Sequence, residues 1–178
     1  DWSSDVCSSD LKEAPFPIVG IGASAGGLEA LEAFFSAVPE EGGIAYVVIT
    51  HTDPKQQSML PDLLRKKASI PVELLEDGIL PRPDRVYLPP SDRDVVLEDH
   101  TLRLKRRPSQ SEAHMPVDLF LKHLAQDRGR LGACVILSGT GTDGTQGVRL
   151  IKEHSGVSMV QALDTARHGG MPRSAVET

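Results

Sequence analysis

Short apolar runs alternate along the chain with stretches whose apolar residues recur at helical spacing. Residues 16–21 read as a short strand, and 26–38 as a helix with Leu28, Leu31, Phe34 and Phe35 on one face. Residues 44–49 are continuously apolar and β-rich, as a strand buried on both faces is. The pattern over 54–67 is helical with Met59, Leu60, Leu63 and Leu64 as its inner stripe, and Pro61 inside it predicts a kink or two shorter pieces. Strands follow at 72–75 and 86–88. Val95-Val96-Leu97 and Leu102-Arg103-Leu104 read as two more, joined as a hairpin through Glu98-Asp99-His100-Thr101. Residues 106–112 are polar and read as a loop. Helices are expected at 117–128 and 144–154, with strands at 131–137 and 157–160. This alternation predicts an α/β fold: a mostly parallel, doubly wound sheet with helices on both faces and an antiparallel hairpin added to it.

Length and charge narrow the picture. At 178 residues the chain fits one domain with one sizeable core. The formal net charge of −6 argues against a nucleic acid or an anionic membrane as main partner. No apolar run approaches the length of a membrane span. The two cysteines, Cys7 and Cys134, form no disulfide framework, and a cytoplasmic setting is expected. Residues 1–11 are Ser/Asp-rich, hold the single Trp and resemble translated sequencing-adapter sequence, so they are expected to be non-native or disordered. Residues 171–178 read as a helix that begins and is cut, which predicts a domain truncated at its C-terminus.

Open parallel sheets place their sites beyond the carboxyl ends of their strands. After the first strand comes Gly22-Ala23-Ser24-Ala25-Gly26, a G-x-S-x-G between strand and helix, the setting of a nucleophile elbow. After the second comes Thr50-His51-Thr52-Asp53, and after the 131–137 strand comes Ser138-Gly139-Thr140-Gly141-Thr142-Asp143-Gly144. One Ser, one His and one Asp thus stand at three strand ends, the groups a nucleophile, its base and an orienting acid require. The Ala25 N–H, at a helix start, is placed to stabilise an oxyanion.

Each residue also has a structural alternative. Ser24 could cap the helix that follows it, and Asp143 the helix after Gly144. His51 could be a hydrogen-bonded surface residue. Asp53 is a rival orienter, although a partner two residues away tends to bond backbone. His100 falls in a hairpin turn, His123 and His154 on helices, and His114 and His168 in loops. No pair of histidines has metal-ligand spacing, so neither metal nor other cofactor is expected. Gly20-x-Gly22-x-x-Ala25 also satisfies a loose dinucleotide fingerprint, but Thr50-His51 stands where that motif wants an acid.

The whole pattern resembles the CheB methylesterases of bacterial chemotaxis, over about residues 15–178. The resemblance rests on Ile21-Gly22-Ala23-Ser24-Ala25-Gly26-Gly27, His51, Tyr87-Leu88-Pro89-Pro90-Ser91-Asp92 and Pro116-Val117-Asp118-Leu119-Phe120. It continues through Leu137-Ser138-Gly139-Thr140-Gly141-Thr142-Asp143-Gly144 and Gly170-Met171-Pro172-Arg173. It implies a catalytic domain in which Ser24 is the nucleophile, His51 the base and Asp143 the orienter, with the backbone N–H groups of Ala25 and Thr140 as oxyanion hole. The implied substrate is a glutamate γ-methyl ester on the cytoplasmic helices of chemoreceptors, with glutamine deamidation in many members. The chain looks most similar to members joined to a methyltransferase domain. Two departures stand out: the family often has Met at the place of Thr140, and Gln-His-Met at the place of Thr50-His51-Thr52. The alternatives are a non-catalytic docking or regulatory module and a dinucleotide-binding domain.

Overall fold

The computed structural model describes residues 15–51, 58–107 and 114–178. The expectations for residues 1–11, for Asp53 and for most of the 106–112 loop fall outside them. A six-stranded sheet forms the centre, made of β1 (Ile18–Ala23), β2 (Ala45–Thr50), β3 (Val72–Leu74), β4 (Arg85–Leu88), β7 (Gly132–Ile136) and β8 (Val157–Val160). Its order is β3-β4-β2-β1-β7-β8, and every pairing is parallel. The antiparallel hairpin of β5 (Arg93–Glu98) and β6 (Thr101–Arg106) stands apart as a two-stranded sheet. Asp99 and His100 turn it with positive φ at both positions, the geometry that matches strand twist. The helices are α1 (Gly27–Ser36), α2 (Leu60–Arg65), α3 (Pro116–Arg128), α4 (Thr145–Glu153) and α5 (Gly170–Val176).

Alternation along β1 divides the core. Val19, Ile21 and Ala23 pack with Leu31 and Phe35 of α1 and Leu64 of α2. Ile18 packs on the opposite face with Val117, Phe120, Leu121 and Leu124 of α3, whose spacing gives one continuous apolar stripe. Each such side chain contributes about 1.5–3 kcal/mol on full burial. Gly20 and Gly22 share that second face, and α3 lies so close that side chains there would collide. A Cβ on Gly20 would sit 2.6 Å from Leu121 Cδ2, and one on Gly22 would sit 2.5 Å from Val117 Cγ1. These glycines therefore serve helix-on-strand packing, which accounts for the dinucleotide-like spacing without a phosphate.

Three expectations change. The helix sought over 54–67 is confined, among described residues, to Leu60–Arg65, because Pro61 lies in its first turn and marks a start, not a kink. Met59, assigned to its inner stripe, is 71% exposed, while Leu64 alone of that helix is fully buried. Leu28 of α1 is also exposed, and it lines a cleft instead of the core. No helix among the described residues is long and apolar enough to cross a membrane.

Candidate active site

β1 lies between β2 and β7, and the chain leaves it in both directions across the sheet. That is the switch point where loops diverge and open a crevice. The register brings Ala23 level with Thr50 and Gly22 level with Ile136. Ser24 and His51 are thus the next residues on adjacent strands, which run about 4.8 Å apart. Both line one cleft of about 210 Å³, with Ala23, Thr50, Leu28, Leu31, Leu60 and Leu63 among its walls.

Ser24 is held by backbone, not by a capping role. Its N–H donates to Ser138 O at 3.0 Å, continuing the β1–β7 ladder past the strand ends, and its carbonyl accepts from Gly27 N at 2.9 Å. The α1 cap position belongs to Gly26 at φ 70°, and no side chain caps that helix. The left-handed turn at Gly26 is what lets the chain enter α1 directly after Ser24.

Asp143 is 2% exposed, and its carboxylate reaches three donors. Oδ2 lies 2.9 Å from His51 Nε2 and accepts from Val117 N at 3.0 Å, while Oδ1 accepts from Asp118 N at 2.9 Å. It does not cap its own helix: the α4 cap position is Gly144, at φ 95°, without a side-chain bond. The carboxylate sits instead at the N-terminus of α3, where unpaired N–H groups and the helix dipole favour negative charge, by about 0.3–2 kcal/mol. With Nε2 committed to Asp143, the Nδ1 of His51 is left for a proton from another group. The His51 side chain is 30% exposed, so its ring is reachable from the cleft.

Ser138 is a structural support of the site to which the motif reading assigns no role. It is fully buried. Its hydroxyl donates to Ala25 O at 3.0 Å and accepts from His168 N at 2.9 Å. It thereby straps the Ser24 turn to the loop after β8. Gly139 N donates to His168 O at 2.9 Å, and Met171 N to Gly139 O at 2.9 Å. A Cβ on Gly139 would lie 2.9 Å from Ser24 Cβ and would overlap Met171 Sδ, so the backbone leading to Thr140 packs directly against Ser24. Ala25 and Thr140 are both exposed at this mouth. A buried serine beside a glycine-rich strand end was the available signal, but its partners lie far away in sequence.

Of the other histidines, four are engaged elsewhere. His100 Nδ1 meets Asp127 at 2.9 Å, His114 Nε2 meets Asp94 at 2.8 Å, and His123 lies 3.9 Å from Glu98. His154 bonds Leu150 O within its own helix. His168 packs beside Gly26 at the mouth of the site. No cluster of three or more His, Cys, Asp or Glu suited to a metal occurs among the described residues.

Known proteins resemble this chain in sequence and fold. A family model described as CheB methylesterase matches residues 19–178. A protein-glutamate methylesterase/protein-glutamine glutaminase of Bordetella avium is 33% identical over 172 residues, covering 96% of this chain and 49% of that relative. An uncharacterised 104.1 kDa protein of Rhodobacter capsulatus is 36% identical over 119 residues, covering 67% of this chain and 12% of that one. The crystal structure of the Thermotoga maritima CheB methylesterase catalytic domain matches with a TM-score of 0.84 and 28% identity, covering 92% of this chain and 89% of that one. The chain spans about half the length of the methylesterase relatives it matches.

Proposed function

This chain belongs to the CheB methylesterase family, and we propose that it hydrolyses glutamate γ-methyl esters through Ser24, His51 and Asp143. The carrying observation is the buried Asp143 carboxylate paired with His51 in the cleft that Ser24 also lines. In the proposed cycle His51 Nδ1 takes the proton of Ser24 as Oγ attacks the ester carbonyl. Asp143 fixes the ring and offsets the charge of the imidazolium. The N–H groups of Ala25 and Thr140 receive the oxyanion, at about 3 kcal/mol per donor. The imidazolium returns its proton to the leaving methoxide, methanol departs, and a Ser24 acyl-enzyme remains. Water, deprotonated by His51, then adds to the acyl carbon, and the imidazolium returns that proton to Ser24 Oγ as the ester bond breaks, which frees glutamate and Ser24.

The same constellation can act on a carboxamide, since only the leaving group changes from methanol to ammonia. The double name of the Bordetella avium relative supports glutaminase activity as a second reaction here. We assign the substrate to methylated cytoplasmic helices of chemoreceptors or related signalling proteins. A linked methyltransferase domain fits the reading, and the 104.1 kDa relative gives one instance of the matching region within a much longer chain.

The test is Ser24→Ala, assayed by methanol release from a methylated receptor fragment, together with a fluorophosphonate probe. The expected result is loss of turnover and of labelling with an unchanged melting temperature, because Ser24 is tied down through its backbone. Near-normal turnover in the variant rejects the nucleophile. A folded wild-type chain that neither labels nor releases methanol points instead to a docking module.

A further inference from the structure

The segment Pro116-Val117-Asp118 takes part in the site only through the backbone N–H groups that hold Asp143, which leaves the Asp118 side chain without a role. That side chain turns the other way, toward α4. Its Oδ1 accepts from Gly147 N, in the first turn of α4, at 2.7 Å. Asp143 stands just before Gly144, the cap of α4, and bonds the first turn of α3; Asp118 lies in the first turn of α3 and bonds the first turn of α4. The two carboxylates therefore cap each other's helices.

We propose that Asp118 is a positioning residue for the reaction: by tying the start of α4 to α3 it holds the Asp143 carboxylate against His51. This rests on the function assigned above. Asp118 touches neither substrate nor Ser24 in this account and acts only through Asp143.

Three observations support it. The last stretch of the loop from β7 to α4 turns through Gly141 and Gly144, both at positive φ and without side chains of their own to fix the approach to α4. The α3–α4 approach that brings Gly147 N to Asp118 is close: a Cβ on Gly147 would lie 2.5 Å from Leu121 Cβ. Burial and the neighbouring Asp143 charge also push the Asp118 carboxyl above its ordinary range, against the opposing pull of Gly147 N–H. The fold thus keeps two carboxylates side by side despite their repulsion, where an apolar residue on α3 would have avoided it.

The experiment compares Asp118→Ala, Asp118→Asn and Asp118→Glu with wild type, by kcat and KM for methanol release from a methylated receptor fragment and by thermal melting. Losing the brace lets Asp143 drift by about an ångström, so Asp118→Ala is expected to lose about 10- to 100-fold in kcat. KM stays within about twofold, because no substrate contact is touched. Asp118→Asn keeps an oxygen for Gly147 N and recovers to within about threefold of wild type. Asp118→Glu keeps the charge but lengthens the arm, and ranks below Asn. A folded Asp118→Ala with wild-type kcat, or a change confined to KM, overturns the proposal. If the alanine variant does not fold, a Glu variant equal to or better than Asn overturns it. If wild type itself releases no methanol, the functional reading fails separately. The crystal structure of Asp118→Glu then decides the positioning: an Asp143 carboxylate still at hydrogen-bond distance from His51 overturns it, and a displaced one supports it.

Discussion

Replacing Asp143 with Asn separates the two jobs its carboxylate does. Oδ2 serves two donors, His51 Nε2 and Val117 N, while Oδ1 serves one, Asp118 N. An amide keeps more bonds by placing its oxygen at the Oδ2 position. Its NH2 group then faces Asp118 N–H, donor against donor, in a site that is 2% exposed. One charge-assisted bond is lost outright, at about 1.5–3 kcal/mol. The remaining two lose their charge assistance and weaken. The total is about 3 kcal/mol. A domain of this size moves about 2–4 °C per kcal/mol, so the melting temperature should fall by about 6–12 °C. Catalysis should suffer more, because the imidazolium loses its counter-charge; the equivalent exchange in Ser-His-Asp hydrolases costs about 10⁴ in kcat. Methanol release at a temperature where the variant is folded measures the second effect, and calorimetry the first. A normal melting temperature would refute the account of the buried bonds. A lowered melting temperature with kcat within about fivefold of wild type would leave Asp143 as a helix cap and nothing more.

Other outcomes follow from close packing and burial. Gly22→Ala drives a methyl into Val117 Cγ1 and should cost about 1–3 kcal/mol in urea unfolding. Because Val117 N also holds Asp143, kcat should fall with stability, and an unchanged unfolding midpoint would show that α3 can simply move away. Burial pushes the Cys134 thiol up to about 12, so it stays protonated at neutral pH. Peptide mapping after alkylation at pH 8 should find Cys134 unmodified in the folded chain and modified in urea; rapid labelling of the folded chain would contradict its burial.

Much of the fold is legible because it is written in local periodicity. Apolar runs gave the strands of the parallel sheet, and helical spacing gave α1, α3 and α4, with boundaries shifted by one or two residues. The resemblance to a known family rested on short segments in a fixed order, and the family model matches across the same region. Over 54–67 Pro61 leaves a kink or two shorter pieces open, and the described residues hold one short piece, Leu60–Arg65, packed against β3 and α1. Leu28 and Met59 fit an inner stripe equally well on paper. Whether a face meets core, cleft or solvent depends on what lies opposite.

Strand-helix alternation, the three polar strand ends and the residue types available there are all readable from local sequence. How those groups are used follows from long-range packing. Asp143 stands where it could orient His51 or cap the helix that follows it; it meets His51, and the helix it caps is one that begins 27 positions earlier in the chain, at Pro116. Gly20 and Gly22 satisfy a loose dinucleotide fingerprint that the next strand end already disfavours, and they admit α3 against β1. Backbone conformation depends on near neighbours and leaves a local trace in the sequence. Strand order, register and the direction of a buried carboxylate depend on partners far along the chain, and those are settled only when the sheet closes.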